Sequence, residues 1–146
     1  MTQDEAETIA GWSYEPPYDF YDAHADEADR VELLTAGGRG DRYFSARDAR
    51  GELVGSFVFE REGDVVIIGL GLRPDLTGRG LGSSFVEAGV DFARERFAPR
   101  RLSLSVADFN VRAITVYERA GFVRTRSFLH ETNGGTFSFV EMQRPA

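Results

Sequence analysis

The sequence has no cysteine and no lysine, only two histidines, two methionines and one tryptophan, and no long apolar run. Without cysteine there is no disulfide, no catalytic thiol and no thiolate metal site. Two histidines argue against a conventional zinc site, and no metal is expected. The missing lysine excludes a P-loop, which needs Gly-Lys-Ser/Thr at its end. No stretch approaches the roughly 20 apolar residues that a membrane span requires. The opening Met1-Thr2-Gln3-Asp4-Glu5 is acidic where a signal peptide is basic. A soluble, cytoplasmic protein with no membrane partner is expected.

What is present fits one domain over residues 1–146: the chain is long enough, at 42% hydrophobic, to bury its own core and too short for two ordinary domains. All 17 basic residues are arginines, set against 24 acidic ones for a net charge of −7. A GC-rich genome or a salt-adapted surface would each produce this bias, and either way nucleic acid is a poor partner. A polyanionic ligand would need positive charge gathered locally.

Residues Val65 to Leu72 are almost wholly apolar, as a strand buried on both faces should be. They lead through Arg73-Pro74-Asp75-Leu76-Thr77-Gly78-Arg79-Gly80-Leu81-Gly82 into helical spacing at Leu81, Phe85, Ala88 and Phe92. Alternate glycines thus sit where strand gives way to helix. Lacking Cβ atoms, they let successive N–H groups wrap an anion, and the unsatisfied amides of the helix start add a positive dipole end. The G-x-G-x-G spacing is not the Rossmann G-x-G-x-x-G, and it lies in mid-chain after antiparallel-looking hairpins. A diphosphate is the expected occupant; a tight, closely packed turn is the plainer alternative.

Downstream, Leu102 to Val106 alternates as a strand, and a helix starting near Asn110 places Asn110, Ala113 and Tyr117 on one face. Gly121 then ends the helix as a left-handed cap, and Phe122 opens the next strand.

These two segments together resemble the GNAT superfamily of acyl-CoA N-acyltransferases. Thr77-Gly78-Arg79-Gly80-Leu81-Gly82 matches the family's cofactor loop at both glycines, and Asn110…Ala113…Tyr117…Gly121-Phe122 matches its second signature at every position. The resemblance covers the motif-bearing part, about residues 42–143, and is loose in the N-terminal third. It implies an α/β (α+β) fold with a mixed, mostly antiparallel central sheet and helices on both faces. The family's opening edge strand is absent or vestigial here, because helix-like sequence begins almost at once. Thr77 stands where the family usually has Arg or Gln, so Arg79 or the backbone must compensate. The family splays two central strands to admit a pantetheine arm; Gly69 and Gly71 allow the bulge this needs, or serve close packing against Phe side chains.

Along the chain, Glu5 to Trp12 reads as a short helix with Asp4 as its cap, followed by a Pro-interrupted aromatic segment from Tyr14 to Asp22. Arg30 to Leu34 reads as a weak helix or turn. Three antiparallel strands, Arg42 to Arg47, Leu53 to Glu60 and Asp64 to Leu72, come next. The helix from Leu81 stops near Phe97 before Pro99. A final hairpin, Phe122 to Glu131 and Thr136 to Gln143, turns over Asn133-Gly134-Gly135.

The resemblance assigns acetyl-CoA as co-substrate, held by the loop from Thr77 to Gly82 together with Asn110 and Arg112. Backbone N–H groups at Leu70 and Leu72 would polarise the thioester carbonyl. Arg73, Arg79 and Arg112 are the candidates for phosphate contacts, or else solvated surface arginines. Tyr117 is assigned the proton for the departing thiolate, since a phenol keeps its proton until a strong base forms beside it; core packing is the alternative. The general base is not legible, leaving Glu60, Glu141, Ser105, His130 or a water chain. Trp12, Tyr14, Tyr18 and Tyr21, with Glu60 and the carboxylates of Glu15, Asp19 and Asp22, would suit an amine acceptor that needs apolar walls and a counter-charge, or form a simple lid core.

The expected activity is therefore acetyl transfer from acetyl-CoA to a primary amine, small-molecule or peptide, with a homodimer allowed. A non-catalytic acyl-CoA sensor or scaffold is the alternative from another class, and a cofactor-free interaction domain is a third.

Overall fold

The computed structural model describes residues 1–146. Six strands form one sheet in the order β1-β2-β3-β4-β6-β5: β1 Tyr43–Arg47, β2 Leu53–Glu62, β3 Val65–Leu72, β4 Arg101–Ala107, β5 Val123–Thr132 and β6 Gly135–Pro145. Every neighbouring pair is antiparallel except β3 with β4. The helices are α1 Gln3–Ala10, α2 Glu27–Leu34, α3 Ala36–Arg39, α4 Gly82–Phe97 and α5 Val111–Arg119. No strand precedes α1 in this chain, and β1 forms the sheet edge.

Strand alternation sorts the faces. Phe57, Phe59, Val66, Ile68, Leu102 and Leu104 are buried on the face that takes α4 and α5. On the other face, Arg42 ion-pairs with Glu32 of α2 at 3.3 Å, the Tyr43 hydroxyl donates to the same carboxylate, and the Phe20 ring packs 6.1 Å from that of Phe139.

The expected face of α4 is rotated. Leu81 is exposed and Ala88 faces solvent, while Phe85, Val86, Gly89, Val90 and Ala93 are buried. The cause is a ring nested on glycine: a Cβ on Gly89 would lie 2.4 Å from Phe57 Cε1, so only glycine lets α4 settle onto β2 there. Phe57 and Phe85 stack at 4.5 Å, and Phe92, partly exposed, stacks on Phe59 at 5.4 Å.

The N-terminal third also departs from expectation. Thr2, not Asp4, caps α1: its hydroxyl accepts from the Glu5 N–H at 3.1 Å and Glu5 accepts in return from the Thr2 N–H at 2.7 Å. The helix ends at Ala10, short of Trp12. Chiefly the Thr2 amide, with Arg47 assisting, lowers the Glu5 carboxyl to about 2. The segment read as a weak helix or turn over Arg30 to Leu34 is helical and begins earlier, as α2 from Glu27, because Asp26 accepts from the Asp29 N–H at 3.1 Å.

Candidate active site

β3 and β4 pair over three rungs only, Val65 with Arg101, Val66 with Leu102 and Ile67 with Ser103. Beyond them the strands part. The Arg73 N–H bonds Val54 on β2 at 2.8 Å and the Asp64 carbonyl accepts from Arg101, which fixes the alternation along β3. Ile68, Leu70 and Leu72 therefore turn their backbone groups toward the gap, where no strand answers them. Tyr14 takes one of these groups: its hydroxyl donates to the Leu72 carbonyl at 2.7 Å. Burial, with Asp22 second, pushes that phenol up to about 12.

The gap widens into a cleft of about 680 Å³, within the size range of ligand sites. In a chain of net charge −7, no carboxylate lines it, while Arg112 and Arg119 do. At its mouth Gly78 (φ 72°) and Gly80 (φ 77°) adopt left-handed backbone that other residues take only with strain. Gly82 serves packing instead: a Cβ there would meet Val116 of α5 at 3.4 Å. The 16-residue α4 starts after Leu81, which provides no side-chain cap, so the first amides of the helix face the cleft mouth unclaimed. The Thr77 hydroxyl is used locally, donating to the Pro74 carbonyl at 2.6 Å.

Asn110, Ala113 and Tyr117 all reach the cleft from α5. Asn110 also holds the helix start, its Oδ1 accepting from the Ala113 N–H at 3.1 Å. Arg112 lies with its guanidinium 4.0 Å from the Tyr18 ring centre, and its Nη1 sits 3.6 Å from where a Gly78 Cβ would be. Arg112 thus leans over the glycine loop. Tyr117 packs edge-on to Phe122 at 6.3 Å, and burial, with Tyr21 second, raises its phenol well above the usual range.

Other expected residues fall elsewhere. Leu81 and Arg79 belong to the loop but are exposed and do not line the cleft. Arg73 is held by Asp75 at 2.6 Å and by the Leu53 carbonyl at 3.0 Å. Glu60 pairs with Arg42 at 2.6 Å at the far end of β2, and Trp12 also lies off the cleft, so neither helps line an acceptor pocket there. Glu141 pairs with Arg126 at 3.3 Å. Of the base candidates only Ser105 lines the cleft. Arg119 and Ser83, not singled out from sequence, do line it; Arg119 lies two turns beyond Arg112, a spacing that would have found it.

Tyr21 also lines a second cavity, of about 200 Å³, bounded by Asp22, Asp26, Asp29, His130 and Phe139. The Asp22 side chain is 4% exposed and accepts from the Tyr14 N–H at 2.9 Å. Glu15 and Asp19 do not reach it. Burial, then the Asp26 charge, raises the Asp29 carboxyl.

A glycine loop thus runs into an uncapped helix beside a gap between splayed strands. Residues 4–122 match the model of the "Acetyltransferase (GNAT) family", and the chain belongs to that family. Mycothiol acetyltransferase from Geodermatophilus obscurus is 35% identical over 85 residues, 58% of this chain and 27% of that protein. Its counterpart from Salinispora arenicola is 39% identical over 64 residues, 44% of this chain and 20% of that protein. The chain thus spans about a quarter of the length of these curated relatives. Among solved structures, spermidine N-acetyltransferase from Vibrio cholerae in complex with CoA and spermine superposes with a TM-score of 0.77 at 18% identity, covering 99% of this chain and 92% of that one. A GNAT-family acetyltransferase from Bacillus anthracis gives 0.77 at 16% identity, covering 99% and 91%. The fold is the mixed, mostly antiparallel one expected, and no helix is long and apolar enough to cross a membrane.

Proposed function

We propose that this protein is an N-acetyltransferase that moves an acetyl group from acetyl-CoA directly to a primary amine. One observation carries the reading: the cleft of about 680 Å³ in this acidic protein has no carboxylate on its walls, yet it has two arginines, a glycine loop and the open backbone of Leu70 and Leu72. Such a site fits a diphosphate at its mouth and a thioester at its depth.

When bound, acetyl-CoA supplies an electrophilic carbonyl and a thiol leaving group. The amides of Gly78 to Gly82 and the α4 start hold the diphosphate, with Arg112 forking onto its oxygens. The Leu70 and Leu72 N–H groups bond the pantetheine arm and polarise the carbonyl as the amine attacks. Tyr117 gives its proton to the departing sulfur. Water beside Ser105 accepts the proton that the amine nitrogen loses. The acceptor is a small-molecule amine, whose cationic end the Asp22 side of the second cavity balances; the relatives' names, spermidine and mycothiol acetyltransferase, are consistent with that class. The whole chain acts as one domain of a cytoplasmic protein.

The deciding experiment is thiol release from acetyl-CoA across a panel of polyamines, amino sugars and amino acids. Acceleration above background for at least one amine is expected. Cofactor binding without acceleration for any amine would turn the reading toward an acyl-CoA sensor, and no rise in Tm with CoA would turn it toward a cofactor-free interaction domain.

A further inference from the structure

Two arginines line the cleft, and only Arg112 leans over the glycine loop. The cleft residues of α5 fall in two columns, Ala113 with Tyr117, and Arg112 with Val116 and Arg119, because steps of four and seven residues return to nearly the same side of a helix. The second column is fixed against the cleft mouth at two points. Arg112 Nη1 lies 3.6 Å from where a Gly78 Cβ would be, and the Val116 methyl groups lie 3.4 Å from where a Gly82 Cβ would be. Arg119 is the third member, carried about 10 Å beyond Arg112 along the axis by the rise of about 1.5 Å per residue. Val116, seated on the first residue of α4, lies between the two arginines, which therefore flank the α4 start along α5.

No group of the protein claims Arg119. It is exposed and has neither an ion pair nor a hydrogen bond, while its neighbour Glu118 pairs with Arg124 at 3.9 Å. Ser83, in the first turn of α4, likewise has a free hydroxyl, whereas that of Ser84 donates to the Leu81 carbonyl at 3.0 Å. Carboxylates outnumber arginines in this chain by 24 to 17, yet none lines the cleft beside Arg119. Its charge is left for a ligand. Arg112 is placed differently, stacked on Tyr18 at 4.0 Å and aimed at the glycine loop. The loop amides, the α4 start and Arg112 already suffice for one diphosphate.

Resting on the acetyltransferase reading, the geometry points to Arg119 and Ser83 as the subsite for the second anion of the cofactor, the 3′-phosphate on its adenosine ribose. That monoester lies one short sugar span from the diphosphate and carries about two negative charges at neutral pH. The Arg119 guanidinium forks onto its oxygens, and the Ser83 hydroxyl donates alongside. The subsite thus selects the complete coenzyme over its 3′-dephospho form. Both carry the same thioester, so the selection is made wholly at the mouth of the cleft.

The test is calorimetric and compares CoA with 3′-dephospho-CoA on the whole chain, so no turnover is needed. Wild-type protein should bind CoA about tenfold tighter, the scale of charge-assisted bonds to a phosphate that stays partly in water. In Arg119→Gln the preference should shrink to within about twofold, through weaker binding of CoA alone. Arg112→Gln should weaken both compounds together and keep the preference, because it removes a diphosphate contact. Ser83→Ala should cut the preference about threefold, the worth of one hydroxyl bond. Arg119 also sits in the last turn of α5, where the helix dipole favours any cation. Were that its whole role, Arg119→Gln would lower Tm and leave the preference as in wild type. A preserved preference in the folded Gln variant, or equal weakening of both compounds, therefore overturns the subsite. Wild-type protein that binds neither compound overturns the acetyl-CoA reading with it. The expected preferences in a protein that acetylates no amine uphold the subsite and count against the transfer reading alone.

Discussion

Two cavities share the Tyr21 wall and are opposite in character. The larger is free of carboxylates and edged by arginine and glycine; the smaller gathers Asp22, Asp26 and Asp29 around His130. A chain with 24 acidic residues does not keep a 680 Å³ cleft clear of them by chance packing alone, so the division says where an anion and a cation would each be tolerated. The two regions are also built differently. Main-chain groups make the anion side, through left-handed glycines, a helix start and unpaired strand edges. Side chains make the cation side, delivered by the N-terminal segment and the last hairpin.

The largest effect should come from breaking the anion side. Gly80→Asp puts a carboxylate at a left-handed position in the mouth of the cleft, straining the loop and repelling phosphate. It should abolish the Tm increase that acetyl-CoA gives; unchanged calorimetric affinity in a folded variant would remove the loop from the site. Next, Tyr117→Phe should lower kcat roughly ten- to a thousandfold with acetyl-CoA affinity nearly intact. A preserved kcat would reduce Tyr117 to packing against Phe122.

Breaking the cation side should be milder. Asp22→Asn keeps an oxygen for the Tyr14 N–H and removes only the charge. KM for a cationic amine should rise about tenfold, the worth of one partly screened charge, while acetyl-CoA binding holds. The same change removes a negative neighbour that helps raise the Tyr14 phenol, so Tyr14 should ionise below its value of about 12, as ultraviolet titration would show. An unchanged KM would mean that the amine never meets this wall. The smallest effect is expected of Thr77→Arg, which trades a locally bonded hydroxyl for a guanidinium at the loop and should tighten acetyl-CoA by about threefold through added phosphate contacts. Weaker binding would show that the Thr77 bond to Pro74 shapes the loop.

The anion side was legible in the sequence because its signals are local: a strand, alternate glycines and a helix within one stretch, and Asn110, Ala113 and Tyr117 at helical spacing. The buried face of α4 was misjudged because Gly89 carries no hydrophobic signal of its own; its burial comes from the Phe57 ring that occupies its missing side chain. The cation side was legible only as a cluster of aromatic and acidic residues. Tyr21 meets Ala107 and Asn110 across separations of 86 and 89 residues, and no periodicity encodes such a meeting. Glu60 looked equally suited to a site, yet the strand carries it to Arg42 at the opposite end of β2.

Asp26 ties two distant stretches together with one carboxylate. Its Oδ1 starts α2, while Oδ2 accepts from the Asn133 N–H at 2.9 Å and the Thr132 hydroxyl at 3.1 Å at the tip of the β5–β6 hairpin. Asn133 completes the tie by donating to the Phe20 carbonyl at 2.6 Å. The hairpin therefore works as a ruler: its length sets how far the last two strands reach before they are moored to the N-terminal segment. Lengthening or shortening it by a few residues would redraw the acidic chamber while leaving the glycine loop, forty residues of intervening helix and strand away, untouched. On the proposed reading, the wall offered to the acceptor can then change at one loop while the glycine loop keeps its shape.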